Sequence, residues 1–376
     1  MSIIIFIIIL LVLVLVHEAG HFFTAKSFGI KVEEFGFGFP PKIFGWKYGE
    51  TEYTFNLLPL GGFVKIFGEN IEEADFVEVG FLDNEKEKKD VSRSFVHQAR
   101  WKQALVLIAG VVANFLLAWI LFSVSFMSGL PTSVNDKFSS YNLSDVNLVV
   151  VSVLPDSPAK LAGLETGDKI ISLKSGKEIL NENITTDNLK SFIVTHGKYE
   201  IEIGYMRGGD EVVKTTSLKP VLNKENKPSI GITMDQIGMA KLPFFTALKE
   251  GMLLNLSMTK NTALGLYTLI KDGIRGEGSL GAVTGPVGMV GIVGDAYDFG
   301  FVYLLSFAAL ISINLAIINI LPFPALDGGR LLFLIIEKIK GSPLNPKIAN
   351  RANMIGFSLL IIFMLFITYH DIVKLF

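Results

Sequence analysis

The sequence predicts an α-helical membrane protein with four transmembrane helices and two β-rich inserts. Half of its residues are hydrophobic and 19% are charged, against about 25% charged residues in a typical soluble domain. The apolar residues are concentrated in four long runs, and about 20 such residues suffice for a helix that crosses the hydrocarbon core of a bilayer. Between the runs, β-branched and aromatic residues alternate with glycine and proline, a composition typical of strands and turns.

The four predicted spans lie at residues 2–25, 104–127, 301–321 and 355–369. The length of the first run also fits a signal peptide, but the run lacks a basic leading region and a small-residue cleavage site. It ends, moreover, in two histidines and a glutamate. A membrane span is therefore the favoured interpretation, and the lipid bilayer is the first partner that the sequence predicts.

Basic residues in the short loops predict the orientation of these spans. Loops rich in lysine and arginine face the cytoplasm, which indicates that the loop after the first span and the loop before the fourth are cytoplasmic. Both termini and the long 130–300 segment are then outside, in a multi-pass protein of the inner (cytoplasmic) membrane. The basic residues are Lys31, Lys42, Lys47, Lys65, Lys86, Lys88, Lys89 and Arg93 in the first loop, and Arg330, Lys338, Lys340, Lys347 and Arg351 in the second.

Charge and cysteine content exclude several kinds of site. The formal net charge is −2, so no basic excess indicates nucleic acid as a partner. The sequence contains no cysteine, which excludes disulfides and thiolate ligands. Any zinc ion must therefore be held by histidine, aspartate or glutamate.

The end of the first span contains the motif HEAGH at residues 17–21. On a helix, His17 and His21 are one turn apart on the same face and can share one zinc ion, while Glu18 lies beside it as a general base for a water molecule. The alternative is a pair of histidines that only form hydrogen bonds within a helix bundle. Ionisable groups at membrane depth are costly and usually functional, which favours metal binding.

A tetrahedral catalytic zinc needs a third protein ligand, and Asp327 is the candidate. From Ile3 to His17 the first helix covers about 21 Å at 1.5 Å per residue, so the motif lies in the inner part of the membrane. The third span enters from the same side and reaches Asp327 after a break at Pro322 and Pro324. The alternative is an aspartate that caps the next helix.

These motifs together resemble the site-2 protease family of intramembrane zinc metalloproteases, most closely its bacterial RseP/RasP-type branch. The family often has Gly-Pro where this chain has Gly110-Val111. The resemblance implies that His17, His21 and Asp327 bind Zn²⁺ and that Glu18 is the general base. It also implies that Asn319 holds the substrate backbone or the developing oxyanion. Further stretches similar to the family are 58–66, 109–118, 284–292 and 312–329.

The function implied by the resemblance is hydrolysis of peptide bonds within transmembrane segments of single-span proteins, such as anti-sigma factors or remnant signal peptides, in regulated intramembrane proteolysis. The alternative is a catalytically inactive membrane-anchored scaffold, which would predict a damaged motif, whereas all four site residues are intact. A transporter would show repeated halves, and the sequence contains no such repeat.

The segment 30–67 is predicted to be a membrane-associated, re-entrant β-hairpin. Strands with open edges are not stable in lipid, so the hairpin must pack against the helices. Its free edge can pair with an unwound substrate by strand addition, although a purely structural hairpin is the alternative. The predicted substrate-binding residues here are Gly61, Gly62, Phe63 and Val64.

The segment 146–236 is predicted to be an extracytoplasmic α+β domain with strands at 149–154, 170–173, 200–205 and 211–218. Residues 157–170 resemble the PDZ signature of bacterial proteases, which implies capture of a peptide through an edge near 230–232 or steric exclusion of large ectodomains. The remaining boundaries are a first membrane part at 1–129, linker helices at 237–300 and a second membrane part at 301–376. Within the linker, 243–275 is predicted to be an interfacial helix rather than a fifth span.

Overall fold

The computed structural model describes residues 1–69, 91–134, 141, 143–208, 212–223, 226–277 and 283–374. These residues form two compact units, each described by itself below. The first consists of Met1–Phe122, Gly251–Gly294 and Ser306–Phe376, and the second of Ser123–Glu250 and Asp295–Leu305. The predicted basic cluster Lys86, Lys88 and Lys89 and the start of the predicted strand 211–218 lie outside the described residues.

Nine helices can be assigned in the part of the chain that the structure describes, besides one short 3₁₀ turn at Phe95–His97. In chain order they are α1 (Ser2–Ser27), α2 (Arg100–Ser128), α3 (Pro158–Leu161), α4 (Thr186–Thr195), α5 (Phe244–Arg275), α6 (Pro286–Phe299), α7 (Phe301–Ile320), α8 (Asp327–Lys340) and α9 (Pro346–Val373).

Four of these helices, namely α1, α2, α7 and α9, are long and apolar enough to cross a membrane, and they fit the four predicted spans in length and composition. Helix α9 begins well before the predicted start at residue 355. Its N-terminus is capped by the Asn345 side chain, which accepts a hydrogen bond from the Lys347 amide, and its first turns are polar. Helix α5 confirms the predicted helix at 243–275 and is not among the four apolar helices found in the described residues.

The strands, in chain order, are β1 (Val32–Tyr48), β2 (Thr51–Ile66), β3 (Leu130–Ser133), β4 (Ser144–Val153), β5 (Lys169–Ser175), β6 (Glu178–Leu180), β7 (Ile201–Met206), β8 (Lys214–Leu218), β9 (Val221–Leu222), β10 (Pro228–Ser229) and β11 (Ile232–Ala240). The first two belong to the first unit and the others to the second.

The hairpin β1–β2 is longer than two simple strands because it folds back on itself. The start of β1 pairs with the end of β2, as in Phe35 with Val64, and on its other side with the start of β2, as in Phe35 with Tyr53. The second half of β1 then pairs again with the start of β2, as in Trp46 with Tyr53. The two strands thus form four paired segments side by side, and residues 62–66 lie at one edge of them in the described chain.

One apolar cluster fixes this hairpin to the helices of the first unit. It joins the end of α1, both hairpin strands and the start of α2, and burial of such side chains contributes about 1.5–3 kcal/mol each. Its buried members are Phe22, Ala25, Ile30, Val32, Phe35, Ile66, Phe95, Val106 and Leu107.

An ion-pair network reinforces the same joint. Glu50, in the hairpin turn, accepts hydrogen bonds from Arg93 at 2.6 and 2.8 Å and from Lys26 at the end of α1 at 2.6 Å. The Arg93 guanidinium, followed by Lys26, lowers the pKa of Glu50 to about 2. The hairpin is thus fixed at its turn as well as through its apolar face.

The second unit is an antiparallel sheet in the order β3-β11-β4-β5-β7-β8, with β6 paired to β5. Its apolar core includes Leu148, Leu173 and Ile203 from the strands and Leu189 from α4. Strands β4, β5 and β7 confirm the predicted strands at 149–154, 170–173 and 200–205, and β8 covers most of the described part of 211–218. The architecture of this unit is therefore α+β.

Candidate active site

Helix α1 places the two motif histidines on one buried face of the first unit. His17 and His21 are 6% and 7% exposed, and their Nε2 atoms lie 3.2 Å apart. Oδ2 of Asp327 lies 3.0 Å from Nε2 of His17 and 3.3 Å from Nε2 of His21. The structure thus brings the three predicted ligands together from positions more than 300 residues apart in the sequence.

The triangle formed by these atoms fits a zinc ion. Ligand atoms at about 2.0–2.1 Å around a tetrahedral zinc are about 3.3–3.4 Å from one another, close to the separations observed here. Two imidazole nitrogens and one carboxylate oxygen are also a ligand set typical of catalytic zinc, which leaves the fourth position for a water molecule or the substrate.

Helix α2 supplies the space that the two imidazoles occupy. A Cβ atom at Gly110 would lie 2.4 Å from Nε2 of His21 and 2.7 Å from Cε1 of His17. In α1, Gly20 directly precedes His21, and a Cβ atom there would lie 2.4 Å from the Ala109 carbonyl oxygen of α2. Helices α1 and α2 can therefore approach this closely only because both positions are glycine.

The tautomer of His21 follows from its second ring nitrogen. Nδ1 of His21 lies 2.8 Å from the carbonyl oxygen of Val106. Because a carbonyl only accepts hydrogen bonds, Nδ1 carries the proton and donates it. The lone pair of Nε2 is then free to face Asp327 and His17, as a metal ligand requires.

A turn between α7 and α8 carries Asp327 back to the histidines. A Cβ atom at Gly328 would lie 2.2 Å from the Leu321 carbonyl oxygen, and one at Gly329 would lie 2.1 Å from that of Phe323. The glycine pair thus allows the start of α8 to fold against the end of α7. The alternative role of Asp327 as a helix cap is wrong, because the N-cap of α8 is Leu326 and forms no side-chain capping bond.

Glu18 follows His17 on α1 and lies close to the hairpin edge. A Cβ atom at Gly62 of β2 would lie 3.7 Å from Cγ of Glu18. Two of the neighbouring side chains point elsewhere: the Phe63 ring covers Gly36, and Val64 packs on the apolar cluster of the first unit. The side chains at these two positions therefore help to fix the hairpin.

Gly61 and Asn319 complete the set of predicted site residues. Gly61 is buried, and a Cβ atom there would lie 3.0 Å from the Phe39 ring, so it forms part of the hairpin rather than of the metal cluster. Nδ2 of Asn319 lies 3.4 Å from Nε2 of His17. Asn319 and Asp327 also line the same small pocket, so the amide is within reach of a substrate bound at the histidines.

Sequence reasoning missed the contribution of α2. Val106, Gly110 and Asn114 follow one another at a spacing of four residues. Val106 contacts His21, Asn114 contacts His17, and Gly110 lies against both. This spacing puts them on one helix face, and hydropathy alone does not indicate which face meets the metal. The one indication in the sequence was the polar residue Asn114 within an otherwise apolar run.

A larger cavity of about 820 Å³ lies in the first unit, between the start of α2 and helices α8 and α9. Its walls carry Glu69, His97, Arg100, Arg330 and Glu337 among apolar residues, and it shares Leu107 with the small pocket at Asp327. Charged and polar side chains thus line a cavity that shares one wall residue with the pocket at Asp327.

Comparisons with known proteins find several that this chain resembles. The PDZ domain of the SdrC-like protein from Listeria monocytogenes matches 25% of this chain and 92% of its own length, at 24% identity and a TM-score of 0.20. A Clostridium perfringens protein that bears a zinc metalloprotease name is 34% identical over 96% of this chain and 95% of its own. The zinc metalloproteases RasP of Geobacillus kaustophilus and Shouchella clausii are each 30% identical, over 100% and 99% of this chain and 98% of each relative.

The sequence pattern of peptidase family M50 matches residues 5–363. With HEAGH on an apolar helix and an aspartate brought to its histidines, the chain belongs to peptidase family M50 and is a metalloendopeptidase of the site-2 protease type.

Proposed function

We propose that this protein is an intramembrane zinc metalloprotease that hydrolyses peptide bonds within transmembrane segments of single-span membrane proteins. The observation that carries the proposal is the convergence of His17, His21 and Asp327 beside Glu18, on helices apolar enough to lie in a bilayer. The names of the relatives, which are zinc metalloproteases, support zinc as the metal.

In this proposal His17, His21 and Asp327 hold the zinc ion, which when bound supplies a Lewis acid for the attacking water and the scissile carbonyl. Glu18 takes a proton from the water and passes it to the departing amine, the work of a general base and then a general acid. The Asn319 amide donates a hydrogen bond to the carbonyl oxygen of the substrate as negative charge develops on it.

Substrate binding is proposed to depend on strand addition. A peptide bond in a transmembrane helix must unwind before attack, and each unpaired backbone group in hydrocarbon costs several kcal/mol. The edge at residues 62–66 is adjacent to Glu18 and has backbone groups to offer through Gly61, Gly62, Phe63 and Val64. Pairing with this edge would hold the unwound segment in front of the metal.

The proposed location is the inner (cytoplasmic) membrane, with the active site toward the cytoplasm and the sheet of the second unit outside. The basic residues Lys338 and Lys340 at the end of α8 and Lys347 at the start of α9 support this orientation. The natural substrates are proposed to be anti-sigma factors or remnant signal peptides, and the process is regulated intramembrane proteolysis.

The second unit is proposed to be a PDZ domain that binds a peptide or screens ectodomains by size. Strand β11 pairs with β4 from Ile232 to Met239, whereas β3 covers only Ile237–Ala240 among the described residues. The start of β11, next to Ile230 and Gly231, thus offers an edge for strand addition.

The direct test compares wild type with Glu18→Gln, in lipid vesicles that contain a single-span model substrate. We expect wild type to cleave within the span, and the variant to retain zinc while cleaving about 100- to 10,000-fold more slowly, as for loss of a general base. Cleavage by the variant at the wild-type rate would assign the base to another residue. Absence of cleavage by zinc-loaded wild type would favour the inactive scaffold.

A further inference from the structure

The metal-facing stripe of α2 contains one polar side chain with no assigned role, that of Asn114. The stripe consists of Val106, Gly110 and Asn114. The Val106 carbonyl oxygen accepts a hydrogen bond from His21, and Gly110 leaves space for both imidazoles. Asn114 is 0% exposed and faces the other histidine, with Nδ2 at 3.5 Å from Nδ1 of His17.

The backbone carbonyl of Asn114 has a hydrogen-bond partner, whereas its side-chain oxygen has none among the described residues. Its carbonyl oxygen accepts a hydrogen bond of 2.8 Å from Oγ of Ser312 on α7, which fixes this turn of α2. Its side-chain Oδ1 is buried and has no hydrogen-bond partner among the described residues. A buried, unpartnered amide oxygen next to an imidazole nitrogen calls for a chemical explanation.

The two orientations of the amide have different consequences for His17. If Nδ2 faces the ring, it donates to Nδ1, and the imidazole proton must then sit on Nε2. That nitrogen is 3.0 Å from Asp327 and 3.2 Å from His21, so a proton there would block metal binding. If Oδ1 faces the ring instead, it accepts a hydrogen bond from a protonated Nδ1, and the lone pair of Nε2 is free.

Distance alone does not decide between the orientations, because exchanging Nδ2 and Oδ1 leaves an amide atom at about the same 3.5 Å from Nδ1 of His17. Metal binding does distinguish the two orientations of the amide. A zinc ligand through Nε2 must carry its proton on Nδ1, and a metal-bound imidazole regularly donates that proton to a carbonyl or carboxylate oxygen. The Val106 carbonyl oxygen accepts such a hydrogen bond from Nδ1 of His21.

We propose that Asn114 is a positioning residue for the metal site: its Oδ1 accepts a hydrogen bond from the Nδ1–H group of His17 and thereby holds Nε2 toward the zinc ion. This inference rests on the proposed metal site. Helix α2 then fixes the tautomers of both histidines from one face, through a backbone oxygen for His21 and a side-chain oxygen for His17.

Zinc affinity of the full-length protein in detergent tests the proposal, by competition with a chelator of known affinity. Asn114→Leu has a similar shape but no acceptor, and we expect it to weaken zinc binding about 10- to 100-fold, as for loss of other partners of metal-bound histidines. Asn114→Asp keeps an oxygen acceptor and should bind zinc about as tightly as wild type. The matched control is Ser312→Ala, which removes the hydrogen bond to the Asn114 backbone but leaves the amide in place, and should also retain zinc.

The outcomes separate this inference from the metal site itself. Equal loss of zinc in the Leu and Asp variants would show that an oxygen acceptor at position 114 is not what supports the metal, and no loss in either would show that Asn114 does not act on the metal. Both results would overturn the inference while wild type still binds zinc. Failure of wild type to bind zinc would instead overturn the proposed metal site.

A measurement on the wild-type protein needs no variant to fold. The chain contains five histidines, few enough for nitrogen NMR of a sample labelled at histidine. In the zinc-loaded protein we expect His17 to have a protonated Nδ1 and a metal-bound Nε2. An Nδ1 of His17 that is unprotonated or metal-bound would contradict the inference.

Discussion

The histidine cluster and the hairpin edge are both close to Glu18, but they depend on the sequence in different ways. At His17 and His21 the side chains themselves perform the chemistry, so a spacing of four residues defines the site. At residues 62–66 the side chains of Phe63 and Val64 pack against the hairpin and the apolar core, and the backbone is the part proposed to pair with a substrate. Substitutions should therefore remove metal binding at the first region and alter substrate binding, but not metal, at the second.

The largest effect outside the ligands is expected at Gly110. The added methyl group of Gly110→Ala would lie 2.4 Å from Nε2 of His21, so an imidazole or the helix must move. We expect zinc affinity to fall about 100-fold, the upper range for disturbed support of metal ligands. Zinc competition measures this.

The control for Gly110→Ala is Gly265→Ala in α5, where nothing lies within 4 Å of the added Cβ atom. This variant should retain zinc and full cleavage. Equal zinc affinity in both variants would mean that close packing of α2 on the histidines is not required.

An intermediate effect is expected at the hairpin edge. The methyl group of Gly62→Ala would lie 3.0 Å from the Gly36 carbonyl oxygen and 3.7 Å from Cγ of Glu18, which narrows the space for a paired substrate. We expect cleavage to slow about 10-fold, the cost of roughly one backbone hydrogen bond, while zinc content stays unchanged. Initial rates on a transmembrane substrate measure this, with Gly291→Ala in α6, whose added Cβ meets nothing within 4 Å, as control.

Paired substrates sharpen the same comparison. A glycine-containing span unwinds more easily than a leucine-rich one, so wild type should cleave the former faster. Equal rates on both substrates, together with wild-type activity of Gly62→Ala, would refute the strand-addition mechanism.

The smallest effect is expected at the turn that anchors the hairpin. Because Arg93 and Lys26 lower the pKa of Glu50 to about 2, ionised Glu50 stabilises the fold above its ordinary pKa, and this contribution disappears as the pH falls toward about 2. Glu50→Gln should therefore lower the unfolding free energy by about 1 kcal/mol at neutral pH, with wild type and variant converging in acid. Denaturant unfolding at several pH values measures this, and a difference independent of pH would exclude the ion pairs as its cause.

The sequence predicted those parts of the site that have a local or compositional pattern. HEAGH on an apolar run indicated the ligands on α1, and the need for a third ligand without cysteine directed attention to Asp327. Gly110 was noted only as part of a departure from the usual Gly-Pro, yet it is the residue that must be small. Which face of an apolar helix meets a metal depends on tertiary packing, which hydropathy does not encode.

The fold shows the same division. Four spans were predicted because hydropathy is a local property, and strands β4, β5 and β7 because their residues are typical of strands. The double pairing of β1 was not predicted, since Phe35 contacts both Tyr53 and Val64 only after several shifts of register. The early start of α9 was also missed, because the cap at Asn345 outweighs the polar residues that follow it.

The central claim is that His17 and His21 hold a catalytic zinc together with Asp327, and metal analysis of the purified protein tests it most directly. We expect one zinc per chain in wild type and none in His17→Ala/His21→Ala, with Glu18→Gln as the control that keeps both ligands and the metal. Full zinc occupancy in the double variant would contradict the account.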